Sequence, residues 1–158
     1  MKKVPLSISV NGEDYELYIP PNRTLLEVLR EELALMGTKE SCGEGVCGSC
    51  TVLWNGYPIR SCLTLAAEVA DAEITTVEGL GTEDGRLDPL QQAFIDHGAV
   101  QCGFCTPGML MTARALLNKH AHPTEEEVRL ALSGNICRCT GYTKIVEAIM
   151  DVANGNKA

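Results

Sequence analysis

The sequence predicts an α+β domain followed by a smaller, all-helical one. Three observations carry this. Two pairs of strand patterns closed by Asn-Gly turns lie in the first half, a Gly-rich acidic stretch follows Val77, and four helical patterns come after it with no strand between them. The spans implied are 1-79, a linker over 80-87, and 88-158.

Val4, Leu6, Ile8 and Val10 alternate with polar residues, Asn11-Gly12 follows, and Tyr15, Leu17 and Ile19 resume the alternation. A two-residue loop pairs Ile8 with Tyr15, Leu6 with Leu17 and Val4 with Ile19, all on one face, so turn chemistry and hydrophobic pattern agree on the register. Thr24 with Glu27 makes a capping-box pattern ahead of Leu25, Leu26, Leu29 and Leu33, which predicts a helix over the hairpin's apolar face. Asn55-Gly56 predicts a second hairpin that pairs Trp54 with Tyr57 and Val52 with Ile59, Pro58 favouring an edge position. Ala72 to Val77 predicts a fifth strand.

The stretch EGLGTEDGRLD reads as a linker. Helix starts are predicted near Asp88-Pro89, Thr106-Pro107, Thr124 (with Glu127 completing a capping box) and Thr140 to Thr143. Their apolar faces are Leu90 and Phe94; Met109, Ala113 and Leu116; Val128, Ala131 and Leu132; and Ile145, Ile149 and Val152.

Of 158 residues, 45% are hydrophobic but only 4% aromatic, so two small domains would each have a thin core in need of a staple, and eight cysteines can supply it. The start, MKKVPLSISVNGEDYEL, is patterned as a strand and turn, not as a secretory signal, and no run approaches the roughly 18 apolar residues of a membrane span. A soluble, cytoplasmic protein with reduced thiols is expected, which favours metal ligation over disulfides. The net charge of −8 argues against nucleic acid as a partner.

Cys42, Cys47, Cys50 and Cys62 have the CxxxxCxxC spacing with a later fourth cysteine that is known for plant-type 2Fe-2S ligation. Gly43, Gly45 and Gly48 permit positive φ, so the loop can wrap tightly and aim amide N–H groups at the sulfurs of an anionic cluster. A zinc knuckle on the same cysteines and a disulfide knot are the competing assignments.

Cys102, Cys105, Cys137 and Cys139 are arranged as CxxC, a long gap and CxC. The CGFC core alone has a thioredoxin-like spacing, but it follows the helical pattern DPLQQAFIDHG where thioredoxin needs a strand. QCGFCTPG and GNICRCTGY each follow one helix and precede the start of another, so a cluster held there would meet two positive helix ends. Zinc is the rival for this set also.

His97, His120 and His122 fall near helix ends, as capping or solvent residues do. Met109 reads as helix packing and Met111 as a neighbouring surface or interface position. The chain shows no nucleophile with a paired base and no phosphate-binding loop, so no catalytic or substrate-binding centre is expected on it.

With these two motifs, the chain resembles the small iron-sulfur subunit of the molybdenum hydroxylase family, which includes xanthine dehydrogenase, aldehyde oxidoreductase and carbon monoxide dehydrogenase. CGEGVCGSCTV, TVEGL, QCGFCTPG and SGNICRCTGY occur in the family's order and approximate spacing over nearly the whole chain. Ser41 and Val46 depart from common residues of the family.

The resemblance implies a β-grasp, plant-type ferredoxin domain followed by a four-helix bundle of pseudo-twofold symmetry, each with one 2Fe-2S cluster. It implies electron transfer between a molybdopterin cofactor on a large subunit and FAD on a medium subunit, in a heterotrimer or a dimer of heterotrimers. The bundle cluster would lie nearer the molybdopterin, and Gln101 and Cys139 would contact the pterin. A free-standing ferredoxin-like carrier is the alternative, against which the added helical domain argues.

Overall fold

The computed structural model describes residues 2–82 and 84–155. The outermost positions of the predicted spans, 1 and 156–158, and Glu83 of the predicted linker lie outside the described residues.

β1 (Val4–Val10) and β2 (Glu13–Ile19) form the first hairpin in the expected register, with Ile8 opposite Tyr15, Leu6 opposite Leu17 and Val4 opposite Ile19. Asn11 and Gly12 both take positive φ (55° and 84°), as a two-residue turn matched to strand twist requires. The Asn11 side chain also accepts from the Thr76 N–H (2.8 Å) and donates to Thr76 Oγ1 (2.9 Å), fixing this turn against the end of the fifth strand.

The Thr24/Glu27 capping box opens α1 (Leu25–Glu27). The regular helix predicted through Leu33 does not follow: Val28–Glu32 form a wider π turn, closed by Leu33 N donating to Val28 O (3.1 Å). The extra residue in that turn accompanies burial of both Val28 and Leu29 in the core, and Ala34, at φ 56°, ends it.

β3 (Thr51–Trp54) and β4 (Tyr57–Arg60) make the second hairpin, with Trp54 opposite Tyr57 and Val52 opposite Ile59. β5 (Glu73–Thr75) is shorter than the span from Ala72 to Val77, because Val77 already belongs to a 3₁₀ turn, Val77–Leu80. The sheet order is β2-β1-β5-β3-β4, with β1 and β5 parallel and the other pairs antiparallel. Pro58 lies on edge strand β4, where its missing N–H breaks no central ladder.

The four later helices are α2 (Pro89–Asp96), α3 (Thr106–Lys119), α4 (Glu125–Ala131) and α5 (Thr143–Ala153). Their starts fall near the predicted positions, with side-chain caps at α2 and α4 and none at α3 and α5, which follow Cys105 and Tyr142. Asp88 accepts from Leu90 N ahead of Pro89, and the Thr124/Glu127 box opens α4.

Two apolar cores result. Leu6, Ile8, Ile74, Leu25 and Leu29 centre the first; Leu90, Phe94, Met109, Val128, Ile145 and Ile149 centre the second. Each such side chain, fully buried, contributes about 1.5–3 kcal/mol. Val77 and Leu80 pack on the second core, so the helical packing begins ahead of α2. α3 lies against β3, and Met111 on it is buried, at the interface end of the two positions expected for it. His97 and His120 end α2 and α3, His97 within 3.1 Å of Asp151 on α5, and His122 Nδ1 lies 2.7 Å from the Ala153 carbonyl.

Candidate metal centres

The first cysteine set occupies the loop that enters β3 and the turn that leaves β4, so the β3–β4 hairpin brings Cys50 and Cys62 together. Ser61 fastens this junction, its hydroxyl donating to the Cys50 carbonyl (2.7 Å). The Cys50 and Cys62 sulfurs are 3.3 Å apart. That is well beyond the roughly 2.05 Å of a disulfide. It approaches the roughly 3.7 Å that two thiolates take on one tetrahedral metal with bonds of about 2.3 Å. The Cys42 and Cys47 side chains meet in the same way, and Cys62 is also close enough to Cys42 to feel its charge.

Gly43, Gly45 and Gly48 have φ of 64°, 74° and 75°, as the wrapped loop requires. The amides of Glu44, Cys47 and Val46 converge on Cys42, with Glu44 N 3.4 Å from its sulfur, and bring its thiol down to about 6. Opposite it, burial and the adjacent Cys50 sulfur push Cys62 up to about 11. One corner is prepared for an anion by amides and the other is dehydrated. A metal that replaces the thiol protons suits both.

The second set joins the α2–α3 and α4–α5 connections. Cys105 is the N-cap of α3, and the Cys139 sulfur lies 3.6 Å from that of Cys102. Cys105 and Cys137 form the inner pair. Burial and the neighbouring Cys137 sulfur raise Cys105 to about 12. Burial acts to raise Cys137, but the Thr140 hydroxyl (3.1 Å) and amide (3.4 Å), with the Cys139 amide and the Cys105 side chain, together outweigh it and lower its thiol. The Cys102 sulfur raises Cys139.

Tyr142, held at φ 70°, accepts the Cys137 N–H on its hydroxyl (2.8 Å) just before α5 begins. The CRC turn is thereby tied to a helix start, as its position in the sequence suggests. All four cysteines line one cavity of about 180 Å³, whose wall also includes Cys47, Ser41 and Ser49. Ser41 therefore stands between the two sets, while Val46 is exposed on the outer loop.

Within the groups predicted from the sequence the cysteines lie as neighbouring pairs, Cys50 with Cys62 and Cys42 with Cys47 in the first, Cys102 with Cys139 and Cys105 with Cys137 in the second, and all eight thiols are free. Cys102 and Cys139 are exposed on the rim of this cavity with the half-exposed Phe104 and Ile136, and Gln101, next to Cys102 in sequence, is exposed as well. A wider groove of about 550 Å³, between Tyr57 and α3, contains no cysteine. Sequence reasoning names Thr140 only as a helix start and, as site residues, misses Arg60, Asn135, Thr140 and Tyr142. The last three flank the CRC motif, which was the available signal; Arg60 had none beyond its closeness to Cys62.

Comparison with known proteins agrees with this geometry. Residues 8–78 match the family described as 2Fe-2S iron-sulfur cluster binding domain, and residues 76–150 that described as 2Fe-2S binding domain. The two family matches define a 2Fe-2S protein with two cluster-binding regions.

The nicotinate dehydrogenase small FeS subunit of Eubacterium barkeri is 50% identical over 149 residues, 94% of each chain. The aldehyde oxidoreductase of Megalodesulfovibrio gigas is 45% identical over 95% of this chain, which corresponds to 17% of that longer protein. The crystal structure of quinoline 2-oxidoreductase from Pseudomonas putida 86 superimposes with a TM-score of 0.93 at 45% identity, covering 100% of both chains. The chain belongs to the small iron-sulfur subunits of the molybdenum hydroxylases, and serves electron transfer in an oxidoreductase complex.

Proposed function

We propose that this chain relays electrons between a molybdopterin site on a large partner subunit and FAD on a medium one. Cys42, Cys47, Cys50 and Cys62 hold one 2Fe-2S cluster, and Cys102, Cys105, Cys137 and Cys139 the other. Such clusters supply one-electron carriers whose change of charge demands little rearrangement. The chain's own part is to fix their positions, aim amides at the sulfurs and exclude water. One observation carries the reading: the two sets share a wall at Cys47 while the outer pair, Cys102 and Cys139, opens to the surface.

That rim gives the second set an outlet, and Gln101 beside it offers an amide able to donate and accept at a pterin edge. The first set then serves the flavin side. In this reading the N-terminal unit, 1-79, is a β-grasp ferredoxin domain, 80-87 a linker and 88-158 a four-helix bundle, supported by the mixed sheet, the two cores and α2 to α5. The substrate, an N-heterocycle or an aldehyde, is bound elsewhere in a heterotrimer or a dimer of heterotrimers. Among the described residues no helix is long and apolar enough to cross a membrane, and eight free thiols suit the cytoplasm.

Purification at native expression tests the assembly. Recovery with two larger polypeptides, one carrying molybdenum and the other flavin, is expected; recovery as a monomer without either would favour the free-standing carrier. Gln101→Ala should keep both clusters and weaken association with the molybdenum subunit. Unchanged assembly and unchanged reduction of the clusters by substrate would contradict the role given to Gln101.

A further inference from the structure

The two cysteine sets are joined by hydrogen bonds that no sulfur makes. The Ile136 N–H donates to the Cys47 carbonyl (2.8 Å), so the main chain of a cysteine in the first set meets the amide just ahead of Cys137 in the second. Cys47 also lines the cavity of the second set. This is a direct main-chain link between the two sites.

Two side chains lock that link from either side. Asn135 is 3% exposed; its Nδ2 donates to the Gly48 carbonyl (3.1 Å) and its Oδ1 accepts from Thr112 Oγ1 on α3 (2.9 Å). Both ends of the amide are used, one donating and the other accepting, which a carboxylate cannot reproduce. Arg60, at the end of β4, spreads its guanidinium over three acceptors. They are the Gly134 carbonyl (2.7 Å), Thr51 Oγ1 (2.6 Å) and the Gly45 carbonyl (3.3 Å). One side chain thus holds the first cysteine loop and the turn that enters NICRC.

The backbones at this seam are as close as they can come. A Cβ on Gly108 would lie 2.2 Å from the Gly48 carbonyl oxygen, and one on Gly48 would lie 2.5 Å from that of Gly134. The glycines of CGSC, CTPG and SGN therefore serve the contact between the two regions, beyond any role in wrapping sulfur. A seam set by backbone contact leaves little freedom in the separation of the sites.

We infer that Asn135 and Arg60 are positioning residues that hold the Cys47 carbonyl on the Ile136 amide and so fix the separation and coupling of the two clusters. The inference rests on the ligand assignment proposed above. Coupling between electron carriers falls steeply with distance, and falls less through bonds than across a gap. A lock on this main-chain hydrogen bond between the two cysteine loops acts on both quantities.

Asn135→Asp makes the test specific, because aspartate still accepts from Thr112 but sets a carboxylate oxygen against the Gly48 carbonyl. Thr112→Val removes the other bond while preserving shape, and Arg60→Lys replaces the three-way fork with a single ammonium. Each variant is prepared in the assembled complex and reduced with dithionite. Iron content, the potential and paramagnetic signal of each cluster, and the magnetic splitting between the two reduced clusters are then measured.

Wild type should show both signals with a resolved splitting. Asn135→Asp and Arg60→Lys should keep both signals but narrow the splitting, with Thr112→Val intermediate. A purely structural role would lower the unfolding temperature and leave the splitting unchanged. Unchanged splitting in the variants, or no splitting in a wild type that shows both signals, overturns the inference. If Asn135→Asp loses its clusters, Arg60→Lys and Thr112→Val decide the matter by the same readout. A wild type with fewer than two signals defeats the ligand assignment instead.

Discussion

Cys42 and Cys62 belong to one cysteine set yet have thiols shifted in opposite directions, to about 6 and about 11. Backbone amides cause the first shift and burial the second, so the site is asymmetric before any metal enters. Serine cannot replace a soft thiolate in such a site at comparable affinity. Cys50→Ser should therefore abolish the paramagnetic signal of the first cluster and Cys105→Ser that of the second, each leaving the other in place. Equal loss of both signals in either variant would count against independent sites. The cysteines themselves were legible because ligand spacing is a local property of the chain. Arg60 and Asn135 were not, since their partners at Gly134 and Gly48 are distant in sequence and only the packed seam reveals them.

Among the elements, the two hairpins were legible to the residue because Asn-Gly turns and alternation dictate one register. The π turn after α1 was not: it is closed by a bond from Leu33 to Val28, and periodicity cannot distinguish it from a regular turn. β5 also came out shorter, since the 3₁₀ turn at Val77 depends on packing against the helical core. The capping box of α4 yields a pH prediction. The Thr124 amide, followed by its hydroxyl, holds the Glu127 carboxyl below its ordinary value of 4.5. A depressed folded value means that the stabilisation is complete above 4.5 and is lost as pH falls through that lower value. Glu127→Gln should thus unfold at a lower temperature than wild type near neutral pH, and the gap should close as pH falls below 4.5. A gap independent of pH would show that the carboxylate charge contributes nothing to the cap.

At the scale of the molecule, two modest cores are joined by a polar seam that passes through the cysteine loops. The same contacts that hold the regions together therefore hold the two sites at a set spacing. The fold class and the order of the helices could be read in advance because caps and turns punctuate the chain, but the seam could not, because it is made of glycine contacts and long-range hydrogen bonds. Occupancy of both sites by 2Fe-2S clusters underlies the proposed relay. Its most direct test is the iron and acid-labile sulfide content of the purified complex, combined with low-temperature paramagnetic resonance after reduction. The account predicts about four irons and four sulfides for each copy of this chain, and two distinct signals. A colourless chain carrying zinc, or one with a single cluster, would contradict it.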